Sequence, residues 1–291
     1  MTGQILLTTL ILLLSSRQGQ SPSIAETAFN RAVELQQKGQ WPEAVDAWRK
    51  FLEIEPAHAG AHANLGAVLS RLGQYDEAVK CYDEALRLNS QLTGALFNLG
   101  VAHYRAGQFA KAAEALGRYL AARPESWQAE QILGLSLVEL GRDEDAAPLL
   151  EAALKSNPRD VSLLFGLGLA YLRLKRPEVK TMIERLDATA NGRPFAYLLK
   201  GQNFLADSDF QRAGEALEAA AKLSEDLPRL YFSLGVAYLR MERNREAIRA
   251  FERELKRLPR DYWTLYYLAF LREAEGELEA AREKAALALE F

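Results

Sequence analysis

Two histidines, His58 and His62, stand four residues apart. On a helix that spacing puts two imidazoles on one face and makes half of a zinc site. The pair is unaccompanied: His58 falls at a helix start, and no HExxH-type carboxylate joins it. The third histidine, His103, lies on an apolar stripe, so all three read as surface or packed imidazoles rather than metal ligands. Cys81 is the sole cysteine, which excludes an internal disulfide and a CxxC redox or metal site. Its position on a helix marks it as a small packing residue. The chain has no GxxxxGK[ST] phosphate loop, no nucleophile elbow and no dinucleotide glycine fingerprint. Neither a catalytic centre nor a metal or organic cofactor is expected, and no small-molecule substrate.

Recognition chemistry is better represented. Asn30, Asn64 and Asn98 recur at intervals of 34 residues. A carboxamide both donates and accepts, so such a row can bond the main chain of an extended peptide whatever its side chains. A second row is Arg71, Arg105, Arg173 and Arg240, each near the end of a helix. These cations either favour acidic peptides or offset helix dipoles by ~0.3–1 kcal/mol. Phe97, Tyr104, Phe165, Phe232, Tyr262 and Tyr266 either stack on ligand side chains or pack between helices.

The elements that position these rows repeat with the same period. NLGAVLSRLGQYDEAVKCYDEAL, residues 64–86, returns as NLGVAHYRAGQFAKAAEAL, residues 98–116. Leu65, Gly66 and Leu69 share one helical stripe, Gly73-Gln74 breaks it, and Tyr75, Ala78, Tyr82, Ala85 and Leu86 form a second. One unit is therefore two helices joined by a tight turn, and eight units fill residues 25–291. Gly66, Gly100, Gly134, Gly168, Gly201 and Gly235 let paired helices approach closely. Tyr82, Leu116, Leu150, Leu217 and Phe251 fill the space beside them. No such hairpin buries its apolar face alone, so stability is a sum of repeat and neighbour terms.

The register slips in the fifth unit. Lys180, Glu184 and Asp187 take small or aromatic positions, Pro177 precedes the second helix, and Val179, Met182, Ile183 and Leu186 fit a helix shifted by two residues. The turn Asn191-Gly192-Arg193-Pro194 follows. A seam is expected there, dividing 25–193 (units one to five) from 194–291 (units six to eight); the alternative is a degenerate unit packed like its neighbours.

The recurring order of a large residue, Leu-Gly, aromatic, Gly, aromatic, Ala, aromatic, Ala and Pro resembles the tetratricopeptide repeat over nearly the whole of 25–291. The resemblance implies an all-α, right-handed superhelical solenoid of about eight hairpins, with first helices lining a concave groove for peptides or partner proteins. On that reading the residues beside each Leu-Gly pair face the ligand. Asn30, Asn64 and Asn98 then resemble the asparagine ladder in the repeat domain of O-linked N-acetylglucosamine transferases, or else follow a consensus common in the family. The match ends at the fourth unit, where Ile132 takes the place, followed by Gly166, Leu199, Ser233 and Tyr267; the transferases' catalytic domain is not present. A carboxylate clamp of the chaperone-tail type is disfavoured, since Phe29 and Val33 occupy its first Lys and Asn positions.

Charge and the first residues complete the reading. Lys plus Arg number 36 against 39 for Asp plus Glu, so the chain has no global basic field for nucleic acid. The apolar run Ile5–Leu14 fits a signal-peptide core and falls short of the ~20 residues that span a bilayer. Residues 1–24 are read as a signal peptide, which would make the protein periplasmic or secreted; a membrane anchor or a cytoplasmic chain are the alternatives. The functional expectation is a non-catalytic scaffold that binds a protein or peptide. A self-associating repeat protein, or a non-catalytic subunit of an enzyme such as a glycosyltransferase, are the other readings.

Overall fold

The computed structural model describes residues 23–289, so the apolar run Ile5–Leu14 lies outside the described residues. Every regular element among them is an α-helix. The first four hairpins are α1 (Ile24–Gln37) with α2 (Trp41–Ile54), α3 (Ala59–Arg71) with α4 (Tyr75–Leu88), α5 (Thr93–Arg105) with α6 (Phe109–Ala122), and α7 (Trp127–Glu139) with α8 (Asp143–Ser156). The next four are α9 (Val161–Arg173) with α10 (Val179–Asp187), α11 (Arg193–Ala206) with α12 (Phe210–Leu223), α13 (Leu230–Arg240) with α14 (Asn244–Arg257), and α15 (Tyr262–Ala274) with α16 (Leu278–Leu289).

Local chemistry sets where these helices start and turn. Ser23, His58, Asp160 and Asp261 each precede a first helix, and each side chain accepts a hydrogen bond from a backbone N–H three residues on. Within each hairpin the chain reverses through one left-handed residue, with φ between 54° and 82°. Five of these are the glycines Gly39, Gly73, Gly107, Gly141 and Gly276. The same turn is made by Lys175, Ser208 and Glu242, where a Cβ makes the conformation cost ~1 kcal/mol.

The chain divides into two compact units between Ile132 and Leu133. In the first, each helix from α1 to α6 packs on the next, and α3 also meets α5. In the second, α8 to α16 pack in sequence, with first helix on first helix at α9/α11 and α11/α13. The seam expected at 193/194 lies inside this second unit, where α10 packs on both α9 and α11. The fifth unit is nevertheless distinct. Its second helix has 9 residues where most have 14, and Val179, Met182 and Leu186 form its buried stripe, as the shifted register required.

Size alternation holds the hairpins together. A Cβ added at Gly66 would lie 2.9 Å from the Tyr82 ring, at Gly100 2.5 Å from Leu116, at Gly201 2.5 Å from Leu217 and at Gly235 2.4 Å from Phe251. Real side chains do not approach so closely, so each glycine is the socket for one large residue of the partner helix. Gly168, whose own second helix is short, takes Leu199 of α11 instead.

One carboxylate is buried in this packing. Glu254 of α14 is 1% exposed and accepts the backbone N–H of Phe232 at 3.2 Å. Burial raises its pKa, outweighing that hydrogen bond and the Arg229 and Arg257 charges. A carboxyl that holds its proton more tightly when folded makes the folded state lose stability as pH rises from the ordinary carboxylate range through the raised value. Glu254→Gln, which keeps an acceptor for Phe232 and cannot ionise, is therefore expected to raise the melting temperature at pH 7 and to leave it nearly unchanged at pH 3. Thermal melts of both proteins across pH 3–8 check this.

Candidate functional site

The three asparagines sit at one repeat position on α1, α3 and α5, all in the first unit. Residues one or two places further along each helix are committed to packing: Ala32, Leu65 and Leu99 are buried, as are Gly66 and Gly100. The amides are not so committed. Asn30 is exposed, Asn64 and Asn98 are half-buried, and none has a hydrogen-bond partner among the described residues. A row of carboxamides held by stacked helices, with donors and acceptors unused, is what main-chain recognition requires.

The arginine row divides in two. Arg71 and Arg105 are exposed in the last turns of α3 and α5, within the same unit as the asparagines. Arg173 instead donates to the Val138 carbonyl at 2.7 Å and pairs with the buried Asp143 at 3.3 Å, tying α9 to the turn between α7 and α8. Arg240 lies 4.5 Å from the centre of the Phe210 ring. Those two side chains have structural work, and the helix-dipole explanation covers all four only in part.

Most of the aromatic candidates pack internally. Phe97 meets Tyr119 at 5.2 Å and Tyr104 meets Phe109 at 5.7 Å between ring centres; both are half-buried. Phe165 is buried against Phe195, and Phe232 lies between Arg229 and the rings of Phe251 and Tyr267. Tyr262 and Tyr266 are exposed, together with Trp263 and Phe270, which the sequence reading passed over although Trp263, Tyr266 and Phe270 follow helical spacing.

The residues that could have been reactive have other occupations. His58 Nδ1 caps α3 by accepting from Ala61 N–H, and its ring lies against Phe29 and Phe51. His62 Nε2 donates to the Pro56 carbonyl, and His103 bonds Gln108, which reaches on to Asp76. The Cys81 thiol is pushed up to about 11 by burial and the Glu77 charge, far from the range of a thiolate nucleophile.

Models of the tetratricopeptide repeat match residues 58–125, 132–179 and 230–262, together a little over half of the chain. The chain belongs to the tetratricopeptide-repeat family. Solved structures agree with the tetratricopeptide-repeat fold. The Cut9-Hcn1 hetero-tetramer of the APC/C aligns with a TM-score of 0.60 at 17% identity, covering 95% of this chain and 55% of that one. MamA, residue 41 to the end, from Desulfovibrio magneticus RS-1 aligns at 0.52 and 22% identity over 58% of this chain and 94% of that one. YrrB, described as a TPR protein with an unusual peptide-binding site, aligns at 0.50 and 22% identity over 62% and 94%. At these identities the likeness is one of fold. No curated protein sequence matches this tetratricopeptide-repeat chain significantly.

Proposed function

We propose that this tetratricopeptide-repeat protein is a non-catalytic adaptor that binds an extended segment of a partner protein along α1, α3 and α5, and that it does so outside the cytoplasm. The observation that carries the reading is the row of carboxamides Asn30, Asn64 and Asn98, without partners among the described residues, on helices of three consecutive hairpins in one unit. Each offers a donor and an acceptor to a peptide main chain. Arg71 and Arg105, exposed on the same helices, bias the choice toward acidic segments. Protein interaction is the general use of this repeat fold, and a structural neighbour is described as having a peptide-binding site. The apolar run Ile5–Leu14 supports export.

The test is capture of a partner from source-cell extract, followed by affinity measurement with the segment of it that binds. Asn30→Ala, Asn64→Ala and Asn98→Ala combined are expected to weaken that segment's binding at least tenfold. Each lost amide removes hydrogen bonds of ~0.5–1.5 kcal/mol, while helicity by circular dichroism stays the same. Unchanged affinity in the triple variant overturns the assignment.

A further inference from the structure

The asparagines share a helix face with the two open arginines. Gly66 of α3 and Gly100 of α5 admit Tyr82 and Leu116 of their second helices. Asn64 and Asn98 stand two residues before those glycines, about 200° around the helix, and so face away from the second helices. Arg71 and Arg105 follow the asparagines by seven residues, which returns to the same face ~10.5 Å further along. Between each Asn and its Arg lies a half-buried apolar residue, Ala67 on α3 and Val101 on α5. The two helices pack on one another, which sets their axes ~8–10 Å apart. The face is thus a strip of amides, a low apolar floor and a strip of guanidinium groups. Neither guanidinium has a partner among the described residues, and residues 90–123 supply a single carboxylate, Glu114, against four Lys and Arg.

Resting on the reading that a peptide lies along the asparagines, we infer that its segment is a polyproline-II stretch with acidic side chains three residues apart, one for each arginine. Spacing carries the argument. A polyproline-II helix turns once in three residues with a rise of ~3.1 Å each, so residues i and i+3 project to one side ~9.3 Å apart. That interval matches the separation of α3 and α5. A β-strand returns its side chains to one side every two residues, so same-side residues lie ~6.6 or ~13 Å apart and i and i+3 point oppositely. The polyproline-II backbone also has no internal hydrogen bonds, which leaves its carbonyl and N–H groups to Asn64 and Asn98. Prolines or small apolar residues between the acids fit the floor of Ala67 and Val101, and each carboxylate meets a guanidinium fork. On α1 the place of Arg71 and Arg105 is taken by Gln37, so acid recognition in this unit falls to the one pair.

Fluorescence anisotropy of the full chain with labelled alanine-proline peptides, each carrying two glutamates set two, three or four residues apart, tests this. At about 20 mM salt the three-apart peptide is expected to bind about fivefold tighter than the other two, because only it forms both exposed ion pairs at once. The preference should fade near about 300 mM salt, where such charges are screened. Arg71→Gln combined with Arg105→Gln changes two exposed side chains, so helicity should stay as in wild type while all three peptides bind alike. Asn30→Ala, Asn64→Ala and Asn98→Ala combined should weaken the three peptides by one common factor and keep their order. Spacing-independent binding that this asparagine variant loses overturns the acid register and leaves the peptide site standing. A preference for the three-apart peptide that survives removal of both arginines overturns the register too, as does no binding of that peptide up to about 1 mM. The same preference at undiminished affinity in the asparagine variant supports the arginine pair and sinks the main-chain role of the amides.

Discussion

Trp48→Ala is expected to destabilise the first unit by about 3–5 kcal/mol, the range for removing a large buried aromatic side chain. Trp48 is 0% exposed, donates its indole N–H to Gln36 Oε1 at 2.9 Å, and meets the rings of Phe29 and Phe51 edge-on at 5.1 and 6.1 Å. Alanine leaves a cavity that α1 and α2 can close only by giving up those ring contacts, and strands the Gln36 acceptor. In a repeat array the loss stays local, since each hairpin depends on its neighbours alone. Amide hydrogen exchange should therefore accelerate most in α1, α2 and α3. Urea unfolding should show an early phase that wild type lacks. Exchange in α1–α3 that matches wild type would contradict this account of where the first hairpin's stability resides.

The second large effect is expected at Gly235. Alanine is normally the better helix residue, by ~1 kcal/mol. Here its Cβ would sit 2.4, 2.6 and 2.7 Å from three carbons of the Phe251 ring, which is fully buried and stacked on Tyr267 at 5.5 Å. The ring has nowhere to withdraw, so overpacking of about 1–3 kcal/mol should exceed the propensity gain. Gly235→Ala is thus expected to lower the melting temperature. Combined with Phe251→Ala it should cost much less than the sum of the two single changes, because the clash disappears with the ring. Additive losses in that double-mutant cycle would mean that the glycine serves some purpose other than admitting Phe251.

The same pair shows how far the chain could be read without coordinates. Glycine on one helix and a large residue sixteen positions later recur in register, and helical spacing is a local property of the chain. Hairpin number, turn positions and most socket pairs were therefore legible along the sequence. Turns were less so where glycine is missing. Lys175, Ser208 and Glu242 adopt a left-handed conformation that their residue types disfavour, imposed by the helices on either side. The asparagine row was equally visible as a spacing; that its amides have no hydrogen-bond partner among the described residues was not.

What sequence alone determined, then, is the hairpin array and the candidate rows on it, since both follow from periodicities within a few dozen residues. Tertiary structure decided which members of those rows are available. Arg71 and Arg105 are open while Arg173 and Arg240 are engaged, because what stands opposite each guanidinium comes from another hairpin, about 30 residues away in the chain. It also turned the facing alanines Ala269 and Ala285 into part of a groove. A void is a property of two facing surfaces, and neither strand of sequence records the side chain that the other fails to provide.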